Sequence, residues 1–253
     1  MMDVPLIEMK GIVKSFGRVY ALKGVDFSVG KNEVVGLLGD NGAGKSTLIK
    51  VLVGLHQPDK GEVYFEGKKV SFSSPKDARN YGIETVYQDL ALIPLMSISR
   101  NFFLGREPVS RVGLFNILRK KEMDKIAREV LEDIGVKVRS VDEAVSFLSG
   151  GERQAIAIGR AIHFGAKLLI LDEPTAALSI KETRKVLDLI LEAKEKGLSV
   201  VFITHNIYHV YEVADKLTLL EHGKKVGDFV KKDVTPEEII DIIARETVEG
   251  MIE

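Results

Sequence analysis

The sequence predicts an α/β fold: a parallel-sheet core, an N-terminal antiparallel β-subdomain ahead of it, and an inserted α-helical subdomain. Three observations carry that expectation. Two alternating segments joined by a tight turn open the chain, short apolar runs alternate with helical patterns in its second half, and residues 88–163 read as mainly helical.

Taken in order, Leu6–Phe16 and Tyr20–Val29 read as strands joined by a turn at Gly17-Arg18. Glu33–Leu38 is a short apolar run, followed by a Gly-rich loop and a helix over Lys45–Val53. Gly61–Phe65 and Lys68–Val70 flank Glu66-Gly67 and predict a hairpin. Ser74-Pro75 starts a short helix that stops near Gly82, since Ser caps, Pro suits the first helical position and Gly ends the run. Ile83–Tyr87 reads as a strand. From Ile98 to Ile134 the pattern is helical with a loop-like break over Gly105–Gly113, and Ala127, Val130, Leu131 and Ile134 share one face. Gly151–His163 is an Ala- and Ile-rich helix; Lys167–Leu171, Leu198–Ile203 and Lys216–Glu221 are strands with helices between them. The expected organisation is one domain over 1–253. Its core and β-subdomain take about 5–87 and 164–230, the helical subdomain about 88–163, and a C-terminal helix and tail 231–253.

Composition narrows the function classes. With 253 residues, 45% of them hydrophobic, the chain is long enough to bury a core without staples, and disorder is excluded. Lys plus Arg (36) offset Asp plus Glu (37), so the net charge of −1 gives no global attraction to nucleic acid, and none is expected as a partner. With no Cys, disulfides, thiolate zinc sites and a Cys nucleophile are impossible. Met1–Lys10 carries an early acidic residue and lacks the apolar run of a secretory signal. No stretch approaches the ~18 uninterrupted apolar residues of a membrane span; the best, Ala155–Leu171, is broken by Arg160, His163 and Lys167. A cytoplasmic protein is expected, with any membrane role supplied through a partner.

Two motifs carry chemistry. Gly39-Asp40-Asn41-Gly42-Ala43-Gly44-Lys45-Ser46, followed by Thr47, fulfils G-x-x-x-x-G-K-[ST] between an apolar strand and a helix. The glycines let backbone N–H groups close around a triphosphate at the positive end of the helix. Lys45 is placed to reach the β- and γ-phosphates, and the Ser46 hydroxyl to ligate Mg²⁺. Lys167-Leu-Leu-Ile-Leu-Asp172-Glu173 is an apolar strand ending in carboxylates: Asp172 falls at the sheet edge where a phosphate-bound Mg²⁺ sits, and Glu173 is the candidate base for an attacking water. ATP or GTP binding is what these motifs imply.

Leu148-Ser149-Gly150-Gly151-Glu152-Arg153-Gln154 lies between them and resembles the signature of the ATP-binding subunits of ABC transporters. Ser149 and the glycines Gly150 and Gly151 are expected to present a hydroxyl and bare N–H groups at a helix start, a second anion site. That this site serves the opposite subunit is implied by the resemblance. Gln88, after the strand ending at Tyr87, resembles the family's Mg²⁺- and water-contacting glutamine. His205, after Val200–Thr204, resembles its switch histidine, and Phe16 the aromatic that stacks on adenine. After Pro174-Thr175-Ala176-Ala177-Leu178 the family commonly carries Asp, whose contacts cross the dimer; here the residue is Ser179, which keeps a hydrogen-bonding hydroxyl. The resemblance covers about residues 5–230.

Phe72-Ser-Ser-Pro-Lys-Asp-Ala-Arg-Asn-Tyr-Gly-Ile-Glu-Thr-Val-Tyr-Gln88 and Asn101-Phe-Phe-Leu-Gly-Arg-Glu107 look like importers of ribose, xylose and fructose type. One phosphate loop resembles the single-domain version, which pairs with itself, and an end near 253 leaves no room for an appended regulatory β-domain. The resemblance implies a homodimer with two ATPs at its interface, peripheral on the inner face of the cell membrane. It also implies permease subunits reached through the surface near Asp89–Leu104, and indirectly an extracytoplasmic sugar-binding protein. Amino-acid import and lipid export are the alternatives within the family. A DNA-repair ATPase would carry a long coiled-coil insertion, which this sequence lacks. A simple kinase leaves Leu148–Gln154 unexplained.

Overall fold

The computed structural model describes residues 4–249; residues 1–3 of the N-terminal stretch and residues 250–253 of the tail lie outside the described residues. Strands β1 (Ile7–Phe16) and β2 (Val19–Val29) pair antiparallel, with Phe16 opposite Val19 across the two-residue turn. Strand β3 (Val34–Leu38) runs straight into the Gly-rich loop and helix α1 (Lys45–Leu52). The hairpin β4 (Lys60–Phe65) and β5 (Lys68–Val70) joins β1 through β4, giving a four-stranded antiparallel sheet ordered β2-β1-β4-β5. Helix α2 (Pro75–Asn80) then starts as the capping chemistry predicts, with the Ser74 hydroxyl accepting the Asp77 N–H, and leads into β6 (Ile83–Val86).

The following stretch departs from its expected helical reading. Helix α3 (Ile98–Phe103) is short, and Val109–Val112 (β7) and Phe115–Leu118 (β8) form an antiparallel hairpin where a helical pattern with a loop-like break is expected. The exposed Leu114, Phe115 and Ile117 break the in-out alternation that identifies a half-buried strand. Helix α4 (Lys120–Asp133) keeps its predicted face: Met123, Ala127 and Leu131 are buried, with Val130 and Ile134 packed beside them. Helix α5 (Gly150–His163) closes this helical layer around Phe102, Ile98 and Ile156.

The chain then completes the main sheet with β9 (Leu168–Asp172), α6 (Ile180–Glu195), β10 (Ser199–Ile203), α7 (Ile207–Val213), β11 (Lys216–Glu221), β12 (Lys224–Val230) and α8 (Pro236–Glu249). Its six strands run β12-β11-β3-β10-β9-β6, parallel except for the edge strand β12. β3 and β10 are buried along their whole length, which is why they read as unbroken apolar runs. Their alternate residues feed two cores: Leu37, Val201 and Ile203 pack with α1 and the β-subdomain, while Val34, Leu38 and Phe202 pack under α6, α7 and α8. Each such side chain, moved from water, contributes ~1.5–3 kcal/mol. This two-sided burial holds the carboxyl edge of the sheet rigid.

Candidate functional site

The register brings the candidate residues to one edge. In the parallel pairs Val86 lies opposite Leu171, Asp172 opposite Ile203, and Ile203 opposite Leu37. Gln88, Asp172-Glu173, Thr204-His205 and Gly39 therefore leave neighbouring strands at the same carboxyl end, where ligands of open α/β sheets bind.

The loop from Gly39 to Gly44 is shaped by its surroundings. Gly39 sits at φ 142°, and a Cβ there would lie 2.1 Å from the Leu220 carbonyl oxygen, so only glycine passes. Gly44 caps α1 at φ 106°, with the Ala21 carbonyl oxygen 2.8 Å from where a Cβ would stand. The turn after β11 completes the cradle: Gly223 N–H donates to Ala43 O at 3.1 Å, and Lys23 N–H to Gly223 O at 2.8 Å. Asp40, Asn41 and Gly42 are exposed at the loop's crest, Ser46 is exposed in the first turn of α1, and Thr47 is half-buried behind it.

Lys45 is buried, and its ammonium donates to the Gly39 and Asp40 carbonyls at 2.6 and 3.0 Å. Burial holds its pKa below the ordinary lysine value, opposed by the charges of Glu173, Asp40, Asp172 and Glu221. Asp172 is pushed above its ordinary value by burial and by the adjacent Glu173, with Lys45 pulling the other way. These three charges lie within electrostatic reach of one another.

Glu173 sits in the left-handed region, φ 50°, uncommon for a residue with a side chain. Its N–H donates to Ile203 O at 2.9 Å. Its carboxylate accepts from Thr204 Oγ1 at 3.0 Å and from His205 N–H at 3.0 Å, and stands 2.8 Å from His205 Nδ1. Such local strain is kept where surrounding bonds over-determine it. Nothing in the spacing alone marks Thr204; its place beside His205 at a strand end is the signal available. Gln88 and Glu173 line one cavity of about 370 Å³, together with Gly150, Arg153 and Gln154 of α5.

Two candidates lie apart from that edge cluster. Phe16, at the tip of the β1–β2 hairpin, is 47% exposed and meets His56 edge-on at 5.1 Å, so it is not a core residue. Ser149 caps α5 in a capping box with Glu152. Here the expectation of bare N–H groups needs correction: Ser149 N–H donates to Glu152, and Gly151 N–H to Glu182 of α6 at 3.2 Å. The Ser149 hydroxyl also bonds the Glu182 carboxylate, which leaves the Gly150 N–H as the donor turned to the loop.

The ABC transporter family matches residues 22–176. Over 238 residues the chain is 50% identical to a xylose/arabinose import ATP-binding protein of Sulfolobus acidocaldarius, covering 94% of this chain and 93% of that protein. A fructose import ATP-binding protein of Rhizobium meliloti is 45% identical over 95% of this chain and 94% of its own. A ribose import ATP-binding protein of Yersinia pestis is 40% identical over 95% of this chain but 46% of its own length, so the chain spans about half of that relative. Among solved structures, a nucleotide-free ATP-binding cassette from an ABC transporter superposes with TM-score 0.79 at 29% identity, covering 95% of each chain. The ADP conformation of another such cassette gives 0.79 at 27%, covering 98% of each.

Proposed function

Since this chain belongs to the ABC transporter family, we propose that it is the ATP-hydrolysing subunit of a sugar importer of the xylose, fructose or ribose class. The observation that carries the chemistry is the gathering of the Gly39 loop, Gln88, Asp172, Glu173 and His205 on one sheet edge. The Gly39–Gly44 backbone and Lys45 bind the phosphates, Phe16 offers its exposed face to the base, and Thr47 braces the first turn of α1.

The donors near the phosphates suit Mg²⁺, which prefers oxygen and is commonly held by one or two protein groups plus substrate phosphates. Ser46, Asp172 and Gln88 would hold it, and when bound it neutralises phosphate charge. Glu173, oriented by Thr204 and His205, takes a proton from water as that water's oxygen attacks the terminal phosphorus and ADP leaves. His205, whose side chain is 73% exposed, contacts the terminal phosphate.

Two copies enclose two ATPs, each held by one chain's phosphate loop and the other's Ser149-Gly150 segment. Closure depends on terminal-phosphate contacts on both faces, so hydrolysis opens the pair. Among the described residues no helix is long and apolar enough to cross a membrane. We place the chain at the inner membrane face, passing its motion to permease subunits through Asp89–Leu104, where Leu95 is 89% exposed. An extracytoplasmic binding protein selects the sugar. The subdivision into core (about 5–87 and 164–230), helical subdomain (88–163) and C-terminal segment is part of the same proposal.

The test is reconstitution. With its permease and binding protein in vesicles, ATP hydrolysis should rise on adding a pentose or fructose, and the isolated chain should bind none of them in calorimetry. Saturable sugar binding to the isolated chain, or no stimulation by any such sugar, would falsify this assignment.

A further inference from the structure

The starts of α5 and α6 face each other, and a single carboxylate lies between them. Glu182 closes the capping box of its own helix: its Oε2 accepts from Ser179 N–H at 3.0 Å and Ser179 Oγ at 2.7 Å. Its Oε1 reaches across to accept the Gly151 N–H of α5 at 3.2 Å. Helix starts carry partial positive charge, so two brought together repel unless an anion neutralises both. The approach is close: a Cβ at Gly151 would lie 2.9 Å from both Cβ and Cγ of Glu182. These bonds also hold the Glu182 carboxyl at about 2, well below the usual glutamate value.

The consequence concerns the two segments that Glu182 ties together. Ser149, whose hydroxyl also bonds Glu182, and Gly150 immediately precede the bonded Gly151, and Ile180, 92% exposed, immediately follows the bonded Ser179. Resting on the two-chain reading above, we propose that Glu182 is a positioning residue: it locks Ser149-Gly150 to the Ser179 turn so that both meet the second chain as one rigid surface. Glu152 cannot replace it, because its box closes only on Ser149.

The experiment uses the full chain carrying Glu173→Gln, with ATP-driven dimerisation followed by sedimentation and monomer binding of a fluorescent ATP analogue followed at low protein concentration. Adding Glu182→Gln, which keeps the volume but removes the anion, should raise the dimer dissociation constant about tenfold or more, as loss of charge-assisted bonds does. Analogue binding should stay within about twofold, since the monomer binds nucleotide with its own phosphate loop. Glu182→Ala should match Glu182→Gln; the Gln variant decides if Ala does not fold. Equal dimerisation with and without Glu182 overturns the positioning role alone. Absence of ATP-driven dimers in the Glu173→Gln parent overturns the two-chain reading, and this role with it. Parallel loss of analogue binding and dimerisation marks a merely structural residue and also overturns it.

Discussion

Glu173 and His205 are joined twice: one carboxylate oxygen accepts the His205 backbone N–H at 3.0 Å and lies 2.8 Å from its ring Nδ1. The Nδ1 side of the ring is thereby taken up by Glu173, and Nε2 is turned to the other side. The candidate base and the candidate phosphate contact are therefore bonded to each other directly.

Glu173→Gln should lower ATP turnover by ~10²–10⁴-fold while leaving nucleotide binding intact, because the amide can still accept the His205 N–H but cannot take up a proton. Steady-state hydrolysis beside size exclusion in ATP checks both, with dimers accumulating in the variant. Turnover like that of the parent chain would remove Glu173 from the mechanism.

Phe16→Ala should weaken nucleotide binding by roughly 1–3 kcal/mol if its ring stacks on the base, with similar losses for ATP and GTP since every base offers a π-face. Its 47% exposure predicts little change in melting temperature. A sharp fall in Tm with unchanged affinity would instead make the ring a packing element.

Asp172→Asn should separate stability from activity. Burial and Glu173 raise the Asp172 pKa, so the folded chain holds that proton more tightly than the unfolded one. The ionised form thus weakens the fold, and the cost is complete once pH exceeds the folded value. At neutral pH the Asn variant should melt about 1–3 °C higher, a small gain because the carboxylate is only partly desolvated, and should lose Mg²⁺-dependent hydrolysis. A Tm several degrees lower would show that Lys45 attraction outweighs desolvation.

Acid titration should show the opposite sign at Glu182. Its folded pKa of about 2 lies below the ordinary 4.5, so its stabilisation is full above 4.5 and drains as pH falls toward 2. Thermal melts between those limits should therefore fall more steeply for the parent than for Glu182→Gln. Identical slopes would contradict the triple hydrogen bonding.

Much of the site is legible in the residues because its parts are local. A phosphate loop is contiguous, and Asp172-Glu173 and Thr204-His205 each end an apolar run that only a buried parallel strand explains. What is not legible depends on approach between distant segments. Ser179-x-x-Glu182 announces a helix cap, yet no spacing reveals that Glu182 also receives Gly151, and so the glycines appear barer than they are. The Val109–Leu118 hairpin is hidden for another reason: its strands are only four residues each and Val109, Phe115 and Ile117 face outward, so burial leaves no period to read.

The bonds from the Gly223 turn to Ala43 and from Lys23 to Gly223 have a consequence for biogenesis. A ribosome releases the phosphate-loop motif early, but the turn that walls the loop is translated only after nearly all of the remaining strands. The nascent chain thus carries a complete motif without a complete pocket, and ATP cannot serve as a template for its folding until synthesis has passed β11. Nucleotide capture becomes a late step, one that follows every strand of the sheet except β12.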